Sequence, residues 1–350
     1  MRIAFFTDSF WPQINGVTTS IWNTCETLAT QGHHFIIFAP KPSPFPANPP
    51  HHPHIQLVWL PSKPLPTYTD YLIAYSFSKD AQKAFDDFGA ELVHIHTPFY
   101  VAKKGIELAR KSKIPVIGTF HTVLSEFLQY IPIPTIQHNP IMKELTWKYI
   151  QYFYGKCDLV TTPTEILAKE LRSHGFQNVH VMSNAIDYEL FSKAKVKKAP
   201  KKITMIYYGR ISFEKRIDVA IQTLFLVRKK HPNVELTVLG SGPAEASLKE
   251  QAKEYGIAPF VHFPGPFHGN ALARRVKSHD ILFAPSPMET QGLYVLEGMA
   301  AGLCVVGCNS RAIPIAVGKN ERGLLFENGN AEDAAEKVNQ LIQNPTKRKK

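Results

Sequence analysis

Short apolar runs alternate with stretches of helical spacing along nearly the whole chain. Arg2–Thr7 reads as a buried strand, and Val17–Thr30 places Val17, Ile21, Thr24 and Leu28 on one face of a helix. Further strands are expected at Phe35–Ala39, Ile55–Leu60, Leu92–His96, Pro115–Thr119, Leu159–Thr161 and Val179–Met182. Between them the spacing predicts helices over Tyr71–Phe88, Ala102–Lys111, Ile141–Gly155 and Glu165–His174. Residues 40–69, rich in Pro and His, read as an irregular excursion around the strand at Ile55–Leu60.

The rhythm breaks at 193–202, where six lysines and a proline follow no apolar period. That composition is a linker's. It then restarts with strands at Ile203–Tyr208, Val234–Leu239, Val261–Phe263 and Asp280–Ala284 and helices at Ile217–Lys230, Ala244–Tyr255 and Asn270–Lys277. Residues 281–307 close the pattern: two apolar strands, ILFAP and LCVVG, flank a polar turn and a helix from Gly292 to Ala301. Strand–helix alternation implies parallel sheets covered on both faces. The expected fold is therefore α/β, with two Rossmann-like domains (1–192 and 203–350) whose parallel sheets face across a cleft.

The chain has 350 residues and a formal charge of +11, from 40 Lys and Arg against 29 Asp and Glu. Nucleic acid, an acidic membrane surface or a polyanionic ligand could each account for that excess. The four cysteines show no CxxC pairing and read as buried free thiols. The first residues form no signal-peptide core, and no apolar run reaches the length of a membrane span. A cytoplasmic protein is expected, with any membrane contact peripheral. The histidines around 51–54 lie between prolines without other ligands at metal spacing, so a solvated loop is expected there.

Candidate chemistry gathers after the strands. Glu289 lies in the turn ahead of the Gly292 helix and Glu297 inside it, so amides of Gly292 and Leu293 at that helix start are suited to an anion. Two carboxylates around a phosphate-binding helix end suit a ligand with hydroxyls on both sides of its phosphates, such as a nucleotide sugar. Arg210 and Lys215 follow the strand Ile203–Tyr208 and are a common pairing around phosphates. Gly16 precedes a helix after the first strand, but no GxGxxG occurs there, which argues against a dinucleotide enzyme. No Asp-x-Asp is present to hold a cation on a diphosphate, so no metal or other cofactor is expected.

In order and spacing, FTDSFWPQINGV, HIHTPF, GTFHT, SNAID, GRISFEKRID, LGSGP and ETQGLYVLEGMAAG resemble the GT-B glycosyltransferases of family four, from Met1 to about Phe326. That family is retaining and uses nucleotide-diphosphate sugars. Within it, the ETQG form, HTPF and the FHT stretch look most like diacylglycerol glucosyltransferases. The resemblance implies catalytic roles for His121, Glu289, Arg210 and Lys215. Gly16, Arg210 and Lys215 would bind the diphosphate, Glu297 the ribose, Glu289 the hexose, and Gly292 and Leu293 phosphate or sugar. His121 would face the sugar's 6-hydroxyl, and the base would lie against Pro264, Gly265 and Phe267. UDP-glucose is the donor it suggests, with UDP-galactose and GDP-mannose left open. Two departures stand out: Asn184 replaces a frequent glycine, and the sequence ends at NPTKRKK where relatives usually add a helix.

The acceptor side rests on 123–156, where aromatics, Ile-Pro pairs and lysines interleave. Such a basic amphipathic surface suits an anionic membrane at the inner face and a lipid acceptor. A helix packed on the sheet with a few exposed lysines is the plain alternative. Two further readings stay open: a family-four enzyme acting on a polysaccharide or lipopolysaccharide, and a catalytically silent GT-B binding protein. A nucleic-acid partner would match the charge but leaves the two carboxylates unexplained.

Overall fold

The computed structural model describes all residues except 14, 46–47, 66–67, 125–138, 197–201, 319–320 and 349–350. The described chain forms two compact units, Met1–Ala185 and Ile186–Lys350.

The first unit runs β1 (Arg2–Phe6), α1 (Gly16–Ala29), β2 (His34–Pro40), β3 (Ile55–Leu60), β4 (Ser62–Leu65), β5 (Tyr68–Ala74), α2 (Lys79–Phe88), β6 (Leu92–Ile95) and α3 (Tyr100–Ser112). It continues with β7 (Val116–Thr119), α4 (Pro140–Tyr154), β8 (Leu159–Thr162), α5 (Glu165–Ser173) and β9 (Val179–Val181). Seven strands make a parallel sheet in the order β3-β2-β1-β6-β7-β8-β9. Successive residues point to opposite faces of a strand, and both faces are buried here. Phe6, Ile36 and Phe38 pack into one apolar cluster, while Phe5, Phe35 and Ile37 pack into another.

Two expectations are corrected: residues 40–69 hold β4 and the start of β5 besides the one expected strand, and a predicted helix is divided. Tyr71–Phe88 is not a single helix: β5 pairs antiparallel with β4, and the helix begins only at Lys79. The aromatic and branched run 71–75 suits a strand, and the Ser78 hydroxyl accepts the Ala81 N–H at 3.1 Å, which starts the helix there.

The second unit runs α6 (Tyr188–Ser192), β10 (Thr204–Tyr208), α7 (Ile217–Arg228), β11 (Glu235–Leu239), α8 (Glu245–Glu254), β12 (Val261–Gly265) and α9 (Gly269–Lys277). After these come β13 (Ile281–Ala284), α10 (Leu293–Ala300), β14 (Cys304–Cys308), α11 (Ile313–Val317), β15 (Gly323–Phe326) and α12 (Ala331–Gln343). Its parallel sheet is ordered β12-β11-β10-β13-β14-β15. Met205 and Tyr207 pack on one face, Ile206 and Tyr208 on the other.

The boundary falls at Ala185/Ile186, ahead of the expected 192/193. The cause is α6, whose Phe191 is 3% exposed and packs with Ile206, Val276 and Leu303 of the second unit. Of the lysine-rich linker, 197–201 lie outside the described residues. The helices that follow β14 and the strand β15 extend the unit beyond the elements expected from the sequence.

Candidate active site

In both sheets the strand order reverses beside the first strand of the unit, between β1 and β6 and between β10 and β13. Open α/β sheets bind ligands beyond the carboxyl ends of the strands at that reversal. Arg210 and Lys215 follow β10, and Glu289, Gly292 and Leu293 follow β13, on either side of that reversal, while Pro264, Gly265 and Phe267 lie at the end of the edge strand β12.

The loop after β10 carries Arg210 and, on a single 3₁₀ turn (Phe213–Lys215), Lys215. The Lys215 ammonium donates to Glu289 Oε1 at 2.7 Å, and the two side chains are only 21% and 10% exposed. The cation expected at the diphosphate and the carboxylate expected at the hexose are thus direct partners. Arg210 Nη2 donates to Glu214 Oε1 at 2.6 Å, an oxygen that also accepts the Ser212 hydroxyl at 2.6 Å. Glu214 is buried, and burial raises its carboxyl above the ordinary carboxylate range despite the nearby Lys215 charge.

Gly292 caps α10 with φ of 74°, a left-handed conformation in which glycine is at ease. The first helical carbonyl bonds run from Val295 and Leu296 back to Gly292, so the amides of Gly292 and Leu293 have no such partner. They sit three and four residues after Glu289, whose own carbonyl accepts the Ala312 amide and fixes the turn. Glu297 is half-buried one turn into the helix, next to the Tyr208 hydroxyl, and burial pushes its carboxyl up to about 7. Tyr208 itself donates to the Tyr294 carbonyl at 2.6 Å.

Pro264 and Gly265 end β12. The Gly265 carbonyl accepts the Gly240 amide at 3.1 Å, tying this end to the glycine turn after β11. That turn, GSG, has a packing role: a Cβ on Gly240 would lie 1.9 Å from the Gly209 carbonyl oxygen. Phe267 is partly buried against the core, with the Arg275 guanidinium 5.9 Å from its ring centre.

Gly16 and His121 belong to the first unit. Gly16 is the first residue of α1, not the residue before it. The Asn15 side chain caps that helix by accepting from the amides of Val17 and Thr18, both at 3.0 Å, so any backbone approach to phosphate falls to Gly16's own N–H. His121 follows β7 and is 7% exposed, and burial lowers its imidazole to about 4. It meets two residues that the sequence reading passed over. His121 Nε2 lies 3.0 Å from His96 Nδ1, and the His94 ring lies tilted against His96 with centres 4.1 Å apart. Their spacing was the available signal: residues two apart on a strand share a face. Asp8, after β1, was also passed over. Its carboxylate accepts the Thr97 hydroxyl at 3.0 Å and the Val101 amide at 3.1 Å, so it caps α3, and burial lifts it to about 7.

Helix α4 has one buried face and one exposed face. Trp147, Ile150, Phe153 and Tyr154 pack into the core. Ile141, Leu145, Tyr149 and Tyr152 recur at helical spacing along a second face and are 65%, 50%, 41% and 53% exposed. Lys143 and Lys148 are exposed on the same helix, and the Lys156 ammonium lies over the Tyr152 ring. Residues 125–138 of the segment lie outside the described residues. Among the described residues, no helix is long and apolar enough to cross a membrane, and no three His, Cys, Asp or Glu side chains group as metal ligands.

Comparison with known proteins gives a consistent picture. Residues 14–190 match Glycosyltransferase Family 4, and residues 189–350 match Glycosyl transferases group 1. The chain is 30% identical over 319 residues to the alpha-monoglucosyldiacylglycerol synthase of Streptococcus pneumoniae, covering 87% of this chain and 70% of that one. Its identity to the enzyme of the same name from Acholeplasma laidlawii is 25%, over 99% of this chain and 89% of the other. Among solved structures, sucrose-phosphate synthase from Thermosynechococcus elongatus aligns with a TM-score of 0.78 at 19% identity, covering 99% of this chain and 91% of that one. Anabaena HepE in complex with UDP and glucose aligns at 0.74 and 16% identity, with coverage of 99% and 91%. The chain belongs to glycosyltransferase family 4 and has the GT-B fold.

Proposed function

We propose that this glycosyltransferase is a retaining hexosyltransferase that moves glucose from UDP-glucose to the hydroxyl of a membrane lipid such as diacylglycerol. The observation that carries the donor half is the contact between Lys215 and Glu289 beside Arg210, with the amides of Gly292 and Leu293 unbonded to backbone among the described residues. Cations and amides suit a diphosphate, and a carboxylate suits sugar hydroxyls, so one strand-end site holds both complements. Glu297 takes the ribose hydroxyls, and the backbone at Pro264, Gly265 and Phe267 takes the base. Gly16 adds an amide to the diphosphate, and His121 hydrogen-bonds the hexose near its 6-hydroxyl.

In this reading the acceptor oxygen bonds to the anomeric carbon on the face from which the diphosphate leaves. The C–O bond to the diphosphate breaks, its electron pair stays with the leaving oxygen, and a phosphate oxygen takes the acceptor's proton. Arg210, Lys215 and the helix amides stabilise the charge that grows on the diphosphate, and no divalent cation is required. The lipid acceptor is supported by the names of the two synthases above and by the exposed apolar stripe of α4 with its lysines. Docking would be peripheral, at the cytoplasmic face.

A donor screen with diacylglycerol in anionic micelles tests the reading. Turnover with UDP-glucose and an α-linked product are expected. Preference for GDP-mannose would overturn the donor, and activity confined to polysaccharide acceptors would overturn the lipid. GDP-mannose-dependent alpha-mannosyltransferases resemble the chain at 23% identity over 93% of its length, which makes the first comparison worth running.

A further inference from the structure

His94, His96 and His121 form a buried row at the ends of β6 and β7, with exposures of 6%, 4% and 7%. Phe5 packs against the first two, its ring centre 4.8 Å from His94 and 4.7 Å from His96. His94 is tied away from the other two: its Nε2 lies 2.6 Å from the Thr119 hydroxyl, which in turn lies 2.7 Å from that of Thr161. Among the described residues no carboxylate bonds to any of the three, and burial holds all three imidazoles well below their ordinary range. At neutral pH each ring is therefore uncharged and carries one proton on one of its two nitrogens.

One hydrogen bond then settles two tautomers. His96 Nδ1 and His121 Nε2, 3.0 Å apart, share a single proton between them. If His121 donated it, the proton of His96 would sit on Nε2, which is buried with no partner among the described residues. A buried N–H without an acceptor is among the costlier defects of a protein interior, whereas a bare ring nitrogen forgoes only an acceptor's bond. The cheaper arrangement has His96 donating from Nδ1, which forces the single proton of His121 onto Nδ1. Each arrangement leaves one N–H without an acceptor among the described residues, but His121 Nδ1, unlike His96 Nε2, is not one of the fully buried unpartnered atoms, so water or a ligand can accept from it.

We propose that His96 is a positioning residue that locks His121 in the Nδ1–H tautomer, so that His121 offers the sugar a hydrogen-bond donor and not a base. The sugar-facing half of this statement rests on the role proposed for His121 above; the tautomer itself does not. A donor at Nδ1 would bond the oxygen of a hexose hydroxyl. It could not take the acceptor's proton, which fits transfer of that proton to a phosphate oxygen.

The test is a long-range ¹H–¹⁵N correlation spectrum of the full chain labelled at its histidine rings, at pH 7.5, with signals assigned through single substitutions. The wild-type protein should show Nδ1–H at both His96 and His121. In His96→Phe the lock is gone and His121 should shift toward Nε2–H, with turnover lower by about tenfold, the equivalent of one neutral hydrogen bond. His96→Asn, whose amide can replace the Nδ1 donor, should restore both the tautomer and most of the turnover. Nε2–H at His121 in the wild-type spectrum would overturn the lock, as would an unchanged tautomer in His96→Phe. A tautomer that shifts as expected without loss of turnover would uphold the lock and overturn the role of His121 at the sugar.

Discussion

The Lys215–Glu289 pair makes a sharp prediction for Glu289→Gln. The amide keeps an acceptor for the Lys215 ammonium at a similar position but removes the negative charge. A hydrogen bond between charged groups contributes about 1.5–3 kcal/mol and a neutral one about half as much. With side chains 21% and 10% exposed, solvent screens this pair only in part. The lysine should therefore be released to an incoming phosphate at a cost lower by ~1 kcal/mol, which is about fivefold in binding. UDP should bind about fivefold more tightly to the variant in titration calorimetry. Turnover should move the other way, falling about a hundredfold, or roughly 3 kcal/mol, because an interaction with the hexose is lost in the transition state. Opposite signs on the two readouts are the signature. Weaker UDP binding together with unchanged turnover per bound donor would refute the assignment of both residues.

Activity should persist in excess EDTA, and Lys215→Ala should raise the donor KM and lower kcat together, because the leaving diphosphate gains charge in the transition state; a strict requirement for a divalent cation would refute this. Glu297 gives a pH dependence. Its carboxyl is raised from 4.5 to about 7 in the folded chain, so the stability it lends is complete below pH 4.5 and lost as pH rises through 7. Glu297→Gln should remove up to about 3 kcal/mol of that decline, read as the difference in urea midpoints at pH 5 and pH 8, and an unchanged difference counts against the burial argument. Replacing Ile141 and Leu145 together by Asp should abolish binding to anionic vesicles while leaving UDP binding intact. The wild-type attraction should weaken with added salt, and equal binding to neutral vesicles would remove α4 from the acceptor side.

Strand and helix positions were legible wherever apolar periodicity was strong, as at β1, β2 and β10, since a strand buried on both faces leaves a continuous apolar run. Tyr71–Phe88 misled because its aromatic residues serve a hairpin and only its second half a helix, and local spacing does not show where a partner strand lies. Phe191 belongs to the second unit's core although the lysines that follow it read as a linker, because a five-residue helix leaves too short a period to detect. Among the candidate residues, Glu289, Arg210 and Lys215 were singled out as charges placed after strands, and Glu297 as a carboxylate in the helix that follows. Their pairing was not, since Lys215 and Glu289 are 74 residues apart and only the fold joins them. His96 was missed for a similar reason: its partner comes from the next strand.

The glycine turn after β11 bears on how this protein can vary. The loops after β10 and β11 lie backbone against backbone: Gly209 N–H donates to the Leu239 carbonyl, Ile211 N–H to the Ser241 carbonyl, and Ala244 N–H to the Ile211 carbonyl. A Cβ at Gly242 would come within 2.3 Å of the Ile211 carbonyl oxygen, as one at Gly240 would meet Gly209. Arg210 rides on the middle of that seam. In a scan of every substitution at every position, 240 and 242 should therefore be as intolerant as Arg210 itself, even to alanine. Neither glycine carries a chemical group, so their share in the reaction lies in the shape they allow a neighbour to keep.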